Sequence, residues 1–286
     1  MAPLTTTLQC LPLPPPTFTT ATSPAHHPFL SAAATGTLPK PALSAWLAQD
    51  RLYIHAYIRF IGLLLAKLEL PIPHQQQQPY PESPTTNTTT TTTTDKSTRL
   101  PTQTLQTLTA ALNNITRELD FFITVADLYG LDLNAPFSAA TASTTTTGTE
   151  FAASPITTAY TDLFISAGSA GTSLLEGLVV LWATEVCYLT VWRNVRDEMA
   201  AAGAKGITAT ATGGADADGG ALREKLIPNW TCPEFEEFVE GITRLVDAVA
   251  ESEIRKTGQT EEEVVKRCAR WWRQVVWLEG QFWPQI

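Results

Sequence analysis

Three acidic residues stand where helical spacing calls for apolar side chains. Asp50 lies three residues after Leu47 and three before Tyr53, inside a stripe of Leu43, Trp46, Leu47, Tyr53, Ile54, Tyr57, Ile61, Leu64, Leu65 and Leu68. Glu185 repeats the pattern between Trp182 and Tyr188, and Glu279 lies three or four residues from Val275 and Val276 on one side and from Phe282 and Trp283 on the other. Burying even a neutral polar group without a partner costs roughly 2–7 kcal/mol, and an ion costs more. Each acid must therefore be partnered or perform chemistry.

Packed together, the three helices would bring these acids to one pocket, with Tyr53, Tyr188, Trp182 and Phe282 around them. Such a site suits a flat ring bearing amines: carboxylates meet ring nitrogens and exocyclic amines, and aromatics stack on the faces. Unequal burial would split the carboxyl pKa values, leaving one acid protonated for a leaving group and another ionised as a base. The competing reading is that each acid satisfies a helix end or a buried arginine such as Arg59 or Arg270. Glu118, one turn from Ile115 and Phe122, is a fourth acid of the same kind.

The elements that must position these residues are all helices. A helix capped near Thr37, with Pro39 or Pro41 in its first turn, runs to about residue 70, where Pro71 and Pro73 stop it. A second spans about 102–129, with Leu105, Leu108, Leu112, Ile115, Leu119 and Phe122 on its face and Gly130 at its end. Further helices are expected over 155–168, 172–199, 233–253 and 261–283. No convincing strand pattern of period two occurs. The fold class expected is all-α, with residues 1–25 a disordered Pro/Thr-rich leader and residues 26–286 one helical domain. Flexible low-complexity inserts are expected near 74–99, 138–150 and 200–221. About 200 residues remain outside the leader and inserts, enough for one substantial core.

Composition excludes several functions. The balance of 28 acidic against 19 basic residues, a formal charge of −9, and the lack of a basic patch with interleaved aromatics argue against nucleic-acid binding. The N-terminal residues lack a basic region of the targeting kind, Lys40 being the first lysine. No uninterrupted apolar run reaches ~18 residues, so no membrane span is expected. Cys10, Cys187, Cys232 and Cys268 show no C-x-x-C spacing or disulfide framework, which points to a reducing, cytoplasmic setting. The histidines His26, His27, His55 and His74 have no ligand spacing, so no metal site is expected. Trp271, Trp272 and Trp277 cannot all face inward, so some are expected to meet a partner subunit or another helix, and a homo-oligomer is expected.

Several short blocks, in order, resemble the TenA/Thi-4 family. They are His27-Pro28-Phe29, Gly36-Thr37-Leu38-Pro39, Gln49-Asp50-x-x-Tyr53, Ala159-Tyr160-Thr161, Trp230 with Glu234-Phe235, and Glu279-x-x-Phe282-Trp283. The resemblance implies a haem-oxygenase-like helical fold and hydrolysis of an aminopyrimidine related to thiamin breakdown, in thiamin salvage, with no cofactor. The substrate would be an aminomethyl- or formylaminomethyl-pyrimidine, or thiamin itself. Carried over, the pyrimidine-holding role falls on Asp50, pocket-lining roles on Tyr53 and Tyr160, and proton handling on Glu279.

The nucleophile departs from the family pattern. In place of the family's cysteine turn the chain reads Leu181-Trp182-Ala183-Thr184-Glu185-Val186-Cys187-Tyr188, which resembles the eukaryotic-type branch, where glutamate replaces cysteine. Cys187 is turned about 200° from Glu185 around the helix and reads as a buried structural residue. Glu185 is then the expected base or electrostatic partner for water, with Glu279 protonating the leaving amine. The rival readings are a non-catalytic pyrimidine-binding or scaffold protein on the same fold, and a haem- or metal-dependent oxygenase in which only His27 is placed to ligate iron.

Overall fold

The structure is a computed structural model that describes residues 2–70, 96–136, 151–207 and 214–286. Among these residues there are helices and turns but no strand. The inserts expected near 74–99 and 138–150 fall almost wholly outside the described residues. The helices begin and end where side chains satisfy the free backbone groups of a helix terminus. Ser154 caps α6 (Pro155–Gly168), accepting from the Thr157 amide, and Pro155 occupies its first turn. Ser173 and Glu176 form a reciprocal capping box for α7 (Leu174–Ala204), as Thr260 and Glu263 do for α10 (Glu261–Glu279).

Helix α4 (Lys40–Ala66) starts behind Pro39 and has no side-chain cap; the Thr37 hydroxyl expected to cap it bonds Thr35 Oγ1 at 2.9 Å. Helix α5 (Lys96–Tyr129) ends at Gly130, whose φ of 63° suits a left-handed helix stop. A short π-helical turn (Leu222–Leu226) leads into α8 (Ile227–Trp230), and α9 (Pro233–Thr257) follows. The bundle is joined chiefly by α4 against α6, α7 against α9 and α10, and α4 against α5. Helix α7 is its centre: its first half is buried on every side, including Leu175, Leu178, Val179, Leu181, Trp182 and Ala183. By length and composition α7 is apolar enough to cross a membrane, contrary to the expectation that no segment would be. Most of that stretch is enclosed by the other helices, and a helix apolar all round is the mark of a core position.

The N-terminal segment is not the disordered leader that its Pro/Thr composition suggested. Helix α1 (Leu4–Gln9) buries Leu4 and Leu8 against α9 and α10, and Thr5 donates through its amide and hydroxyl to Asp247 at 2.9 and 3.0 Å. Phe18, in α2 (Phe18–Ala21), packs on Trp272 with ring centroids 5.3 Å apart, and Asn194 Nδ2 donates to the Thr22 carbonyl. A Cβ at Gly280 would lie 2.7 Å from Pro16 Cγ, so only glycine lets this arm close over the end of α10. Propensity misleads here because tertiary partners, not local helix preference, order the segment.

The last expected insert is also partly packed. Helix α7 continues to Ala204, and within 214–221 Asp216 receives a two-toothed contact from Arg223 while the Ala217 amide donates to the Gly36 carbonyl. Gly36 closes α3 (Pro28–Thr35) at φ 74°, and a Cβ there would overlap Asp216 Oδ1 at 2.0 Å. Finally, α10 stops at Glu279 rather than at 283, so Phe282 and Trp283 lie in the turn beyond it.

Because Leu8 is fully enclosed, Leu8→Ala is expected to lower unfolding free energy by about 2–4 kcal/mol in urea titration. A loss below about 0.5 kcal/mol, the range of ordinary surface substitutions, would mean the arm is not part of the fold.

Candidate active site

Helix geometry puts Asp50, Tyr53 and Tyr57 on one side of α4, Asn114 and Glu118 on one side of α5, and Glu185 and Tyr188 on one side of α7. These sides, with Trp230 from α8 and Phe235 and Phe238 from α9, enclose a cavity of about 370 Å³. Its size and aromatic lining match sites that hold small organic ligands. Arg117, Asn114 and the exposed Glu234 stand at its rim.

Three carboxylates face this space, and neutral donors hold them. Tyr57 Oη donates to Glu185 Oε1 at 2.5 Å. Trp230 Nε1 and Asn229 Nδ2 donate to the two oxygens of Glu118 at 2.5 and 2.9 Å. Tyr188 lines the same space beside Asp50 and opposes the rise of its carboxyl pKa. Among the described residues no lysine or arginine forms an ion pair with any of the three. Arg270, one of the alternative partners expected for these acids, pairs instead with Glu176 at 2.7 Å.

Burial dominates the titration of the group. It raises Glu185 to about 7 against the pull of the Tyr57 hydrogen bond, with the charge of Glu118 adding to the rise. It raises Asp50 well above the usual carboxylate range, reinforced by Glu118 and Glu279 and opposed by Tyr188. Glu118 is also raised by burial, against the hydrogen bonds from Trp230 and Asn229. A carboxyl near 7 can act as base or acid at neutral pH. Among the described residues no three His, Cys, Asp or Glu side chains are grouped where one metal ion could be held.

Not every residue expected at the pocket lines it. Asp50, Tyr53, Glu185 and Tyr188 do. Tyr160 and Glu279 form a layer behind: Tyr160 Oη donates to Glu279 Oε2 at 3.0 Å, and the Tyr160 ring meets Tyr53 edge-on at 5.2 Å. Phe282 packs against the same two rings at 6.1 and 5.6 Å from that second layer. Glu279 is fully enclosed, its Oε1 lacks a hydrogen-bond partner, and burial raises it to about 7. Trp182 is elsewhere, stacked on Trp272 at 5.0 Å with Nε1 donating to Thr243. Since α7 is apolar on all sides, its periodicity did not say which neighbour each residue meets.

Cys187 is buried outside the cavity lining, and burial holds its thiol well above the ordinary value. His27 also stands away from the cavity, and Trp277 is the exposed member of its trio, Trp271 and Trp272 being buried. Tyr57, Asn229, Trp230, Phe235 and Phe238 also line the cavity; none was assigned to the site from the sequence, although Trp230 and Phe235 stood in the blocks that carry the resemblance. Tyr57 was already in the apolar stripe of α4, seven residues after Asp50, and that spacing could have placed it.

Residues 20–71, which carry Asp50, Tyr53 and Tyr57, match the model of the TENA/THI-4/PQQC family. Through this segment the chain is similar to that family. Solved TenA proteins have the same fold. A TenA homologue from Pyrococcus furiosus aligns with a TM-score of 0.58 at 22% identity, over 90% of this chain and 89% of that one. A TenA family transcription regulator from Silicibacter sp. TM1040 aligns at 0.64 and 16%, over 98% and 94%. A TenA homologue from P. horikoshii OT3 gives 0.62 and 15%, over 99% and 97%. A "probable transcription factor" of Fusarium pseudograminearum is 26% identical over 285 residues, covering 92% of this chain and 49% of that protein. The chain thus spans about half the length of this curated relative.

Glu185 and Glu279 carry their protons in the fold but lose them in the unfolded chain between about pH 4.5 and 7. Stability should therefore fall as pH rises across that window. Thermal melts are expected to show Tm lower at pH 8 than at pH 5 by about 5 °C or more, with Glu279→Gln roughly halving the difference. A Tm rising over that range would refute the assignment of raised carboxyl pKa values.

Proposed function

We propose that the cavity binds an aminopyrimidine related to thiamin breakdown and hydrolyses the bond to its departing amine. The observation that carries this reading is that carboxylates from α4, α5 and α7 face one aromatic space and, among the described residues, none of them is ion-paired to a lysine or arginine. Such acids, with burial favouring their protonated forms, can present both hydrogen-bond donors and acceptors. A pyrimidine offers the complement: ring nitrogens that accept and exocyclic amines that donate. Tyr53, Tyr188 and Phe235 supply ring surfaces for the faces of the base.

Asp50 keeps the role of holding the pyrimidine. Burial favours the neutral form of its carboxyl, which can donate its proton to a ring nitrogen and accept from an amine. Glu185 is the general base. Ionised, it takes a proton from water as the water oxygen bonds to the carbon and the carbon–nitrogen bond breaks, and it can return that proton to the departing nitrogen. Glu279, behind the wall, fixes Tyr160 and through it the ring of Tyr53; it positions the site rather than touching the ligand. This differs from direct protonation of the leaving amine by Glu279, which its placement outside the lining does not favour. No thiol is required in this scheme.

Ammonia release is expected when the purified protein is given an aminomethyl- or formylaminomethyl-pyrimidine, with kcat rising through about pH 7 as Glu185 ionises. Glu185→Gln should lower kcat by about 10²- to 10⁴-fold, while Cys187→Ala, which removes a buried thiol, leaves it within about twofold. Full turnover in Glu185→Gln with loss in Cys187→Ala would reverse the assignment. Tight pyrimidine binding with no turnover would instead identify a binding protein that keeps the pocket without the chemistry.

A further inference from the structure

Glu118 lies outside the residues that family resemblance brought to the site, yet it reaches the same cavity from a different helix. Its two oxygens are each fixed by one N–H donor, Trp230 Nε1 on Oε1 and Asn229 Nδ2 on Oε2. A carboxylate can accept about four hydrogen bonds, so each oxygen keeps acceptor capacity, and the side chain lines the cavity. The donors that hold it are neutral. Arg117, the neighbouring cation at the rim, has its guanidinium on Asn114 Oδ1 at 2.6 Å, and Glu234 adds a further negative charge at the mouth.

We propose that Glu118 is the specificity residue for a primary ammonium group, so that the site prefers pyrimidines with a protonated aminomethyl arm over neutral analogues of the same shape. The inference rests on the pyrimidine reading of the cavity and narrows its substrate class. Trp230 and Asn229 pin both oxygens of the carboxylate before any ligand arrives, so little ordering is required on binding. When ionised, Glu118 repels the charged forms of Asp50 and Glu185 across the cavity. A bound cation would relieve that repulsion; a hydroxyl or formyl amide in its place would not. A low-dielectric wall of Tyr53, Tyr57, Tyr188 and Trp230 makes the difference larger than it would be in water.

The test compares two pyrimidines that differ only in an aminomethyl against a hydroxymethyl arm. Their Kd values are measured by calorimetry at pH 7 on the whole chain, wild type and Glu118→Gln. Wild type is expected to bind the amine at least tenfold more tightly. Glu118→Gln, which can still accept from Trp230, should reduce that ratio to near one while changing the hydroxymethyl Kd less than about threefold. Asn229→Ala, which removes a donor and leaves the charge, should keep the preference. A wild-type ratio near one, or an equal loss for both ligands in Glu118→Gln, overturns the inference; the wild-type ratio decides the matter if the glutamine variant does not fold. Binding is read without turnover, so an ammonium preference with no hydrolysis would sustain this inference while defeating the hydrolase reading.

Discussion

The structure depends on keeping carboxyl groups inside an aromatic shell without ion-pairing them to a lysine or arginine among the described residues. Phenol, indole and amide donors take the place of salt bridges: Tyr57 for Glu185, Trp230 and Asn229 for Glu118, Tyr160 for Glu279. Neutral donors stabilise a carboxylate less than a cation would, so burial prevails: Glu185 and Glu279 are raised to about 7, and Glu118 shifts in the same direction. An arginine in the same place would hold them ionised and fill the space a cationic or amine-bearing ligand needs. The contrast is visible in the same molecule: Glu176, given Arg270, Trp271 and the Ser173 cap, is drawn below the usual range. One acid staples helices together; the others surround an opening.

The second layer explains why so many aromatic rings crowd this end of the bundle. Tyr53 touches Tyr57, Tyr160, Phe164 and Phe282, and Phe282 also meets Trp46. The cavity wall is thus one ring thick, backed by rings from α4, α6 and the C-terminal turn. Rigid backing of this kind holds the Tyr57 hydroxyl and the Asp50 carboxyl in place without consuming the polar groups that face the ligand.

Much of this was readable from spacing. Long helices with one apolar side state their own phase, so Asp50 on α4 could be aimed inward; Glu185 stands just past the wholly buried first half of α7, where partly exposed positions return, and its meeting with Asp50 in one cavity follows from the helices packing together. What spacing does not contain is depth. Glu279 has the same sequence environment as Glu185, but its position at the last residue of α10 leaves it one layer back, behind Tyr160. Trp182 failed for a different reason: on a helix enclosed all round, every direction is inward and periodicity cannot choose among neighbours. The N-terminal arm failed for a third, since a Pro/Thr-rich stretch has little local preference and acquires order from residues such as Asp247 and Trp272 that lie far along the chain.

That last feature bears on how the molecule is made. Thr5 meets Asp247 across 242 positions of chain, and Pro16 rests on Gly280. During synthesis at about 5–20 residues per second, Leu4, Leu8 and Phe18 would leave the ribosome many seconds before the surfaces that cover them exist. Closing so distant a contact is intrinsically slow, and the arm's threonines and prolines keep it soluble while it waits. The composition that looked like disorder is then suited to the nascent chain, and the packed arm to the finished one.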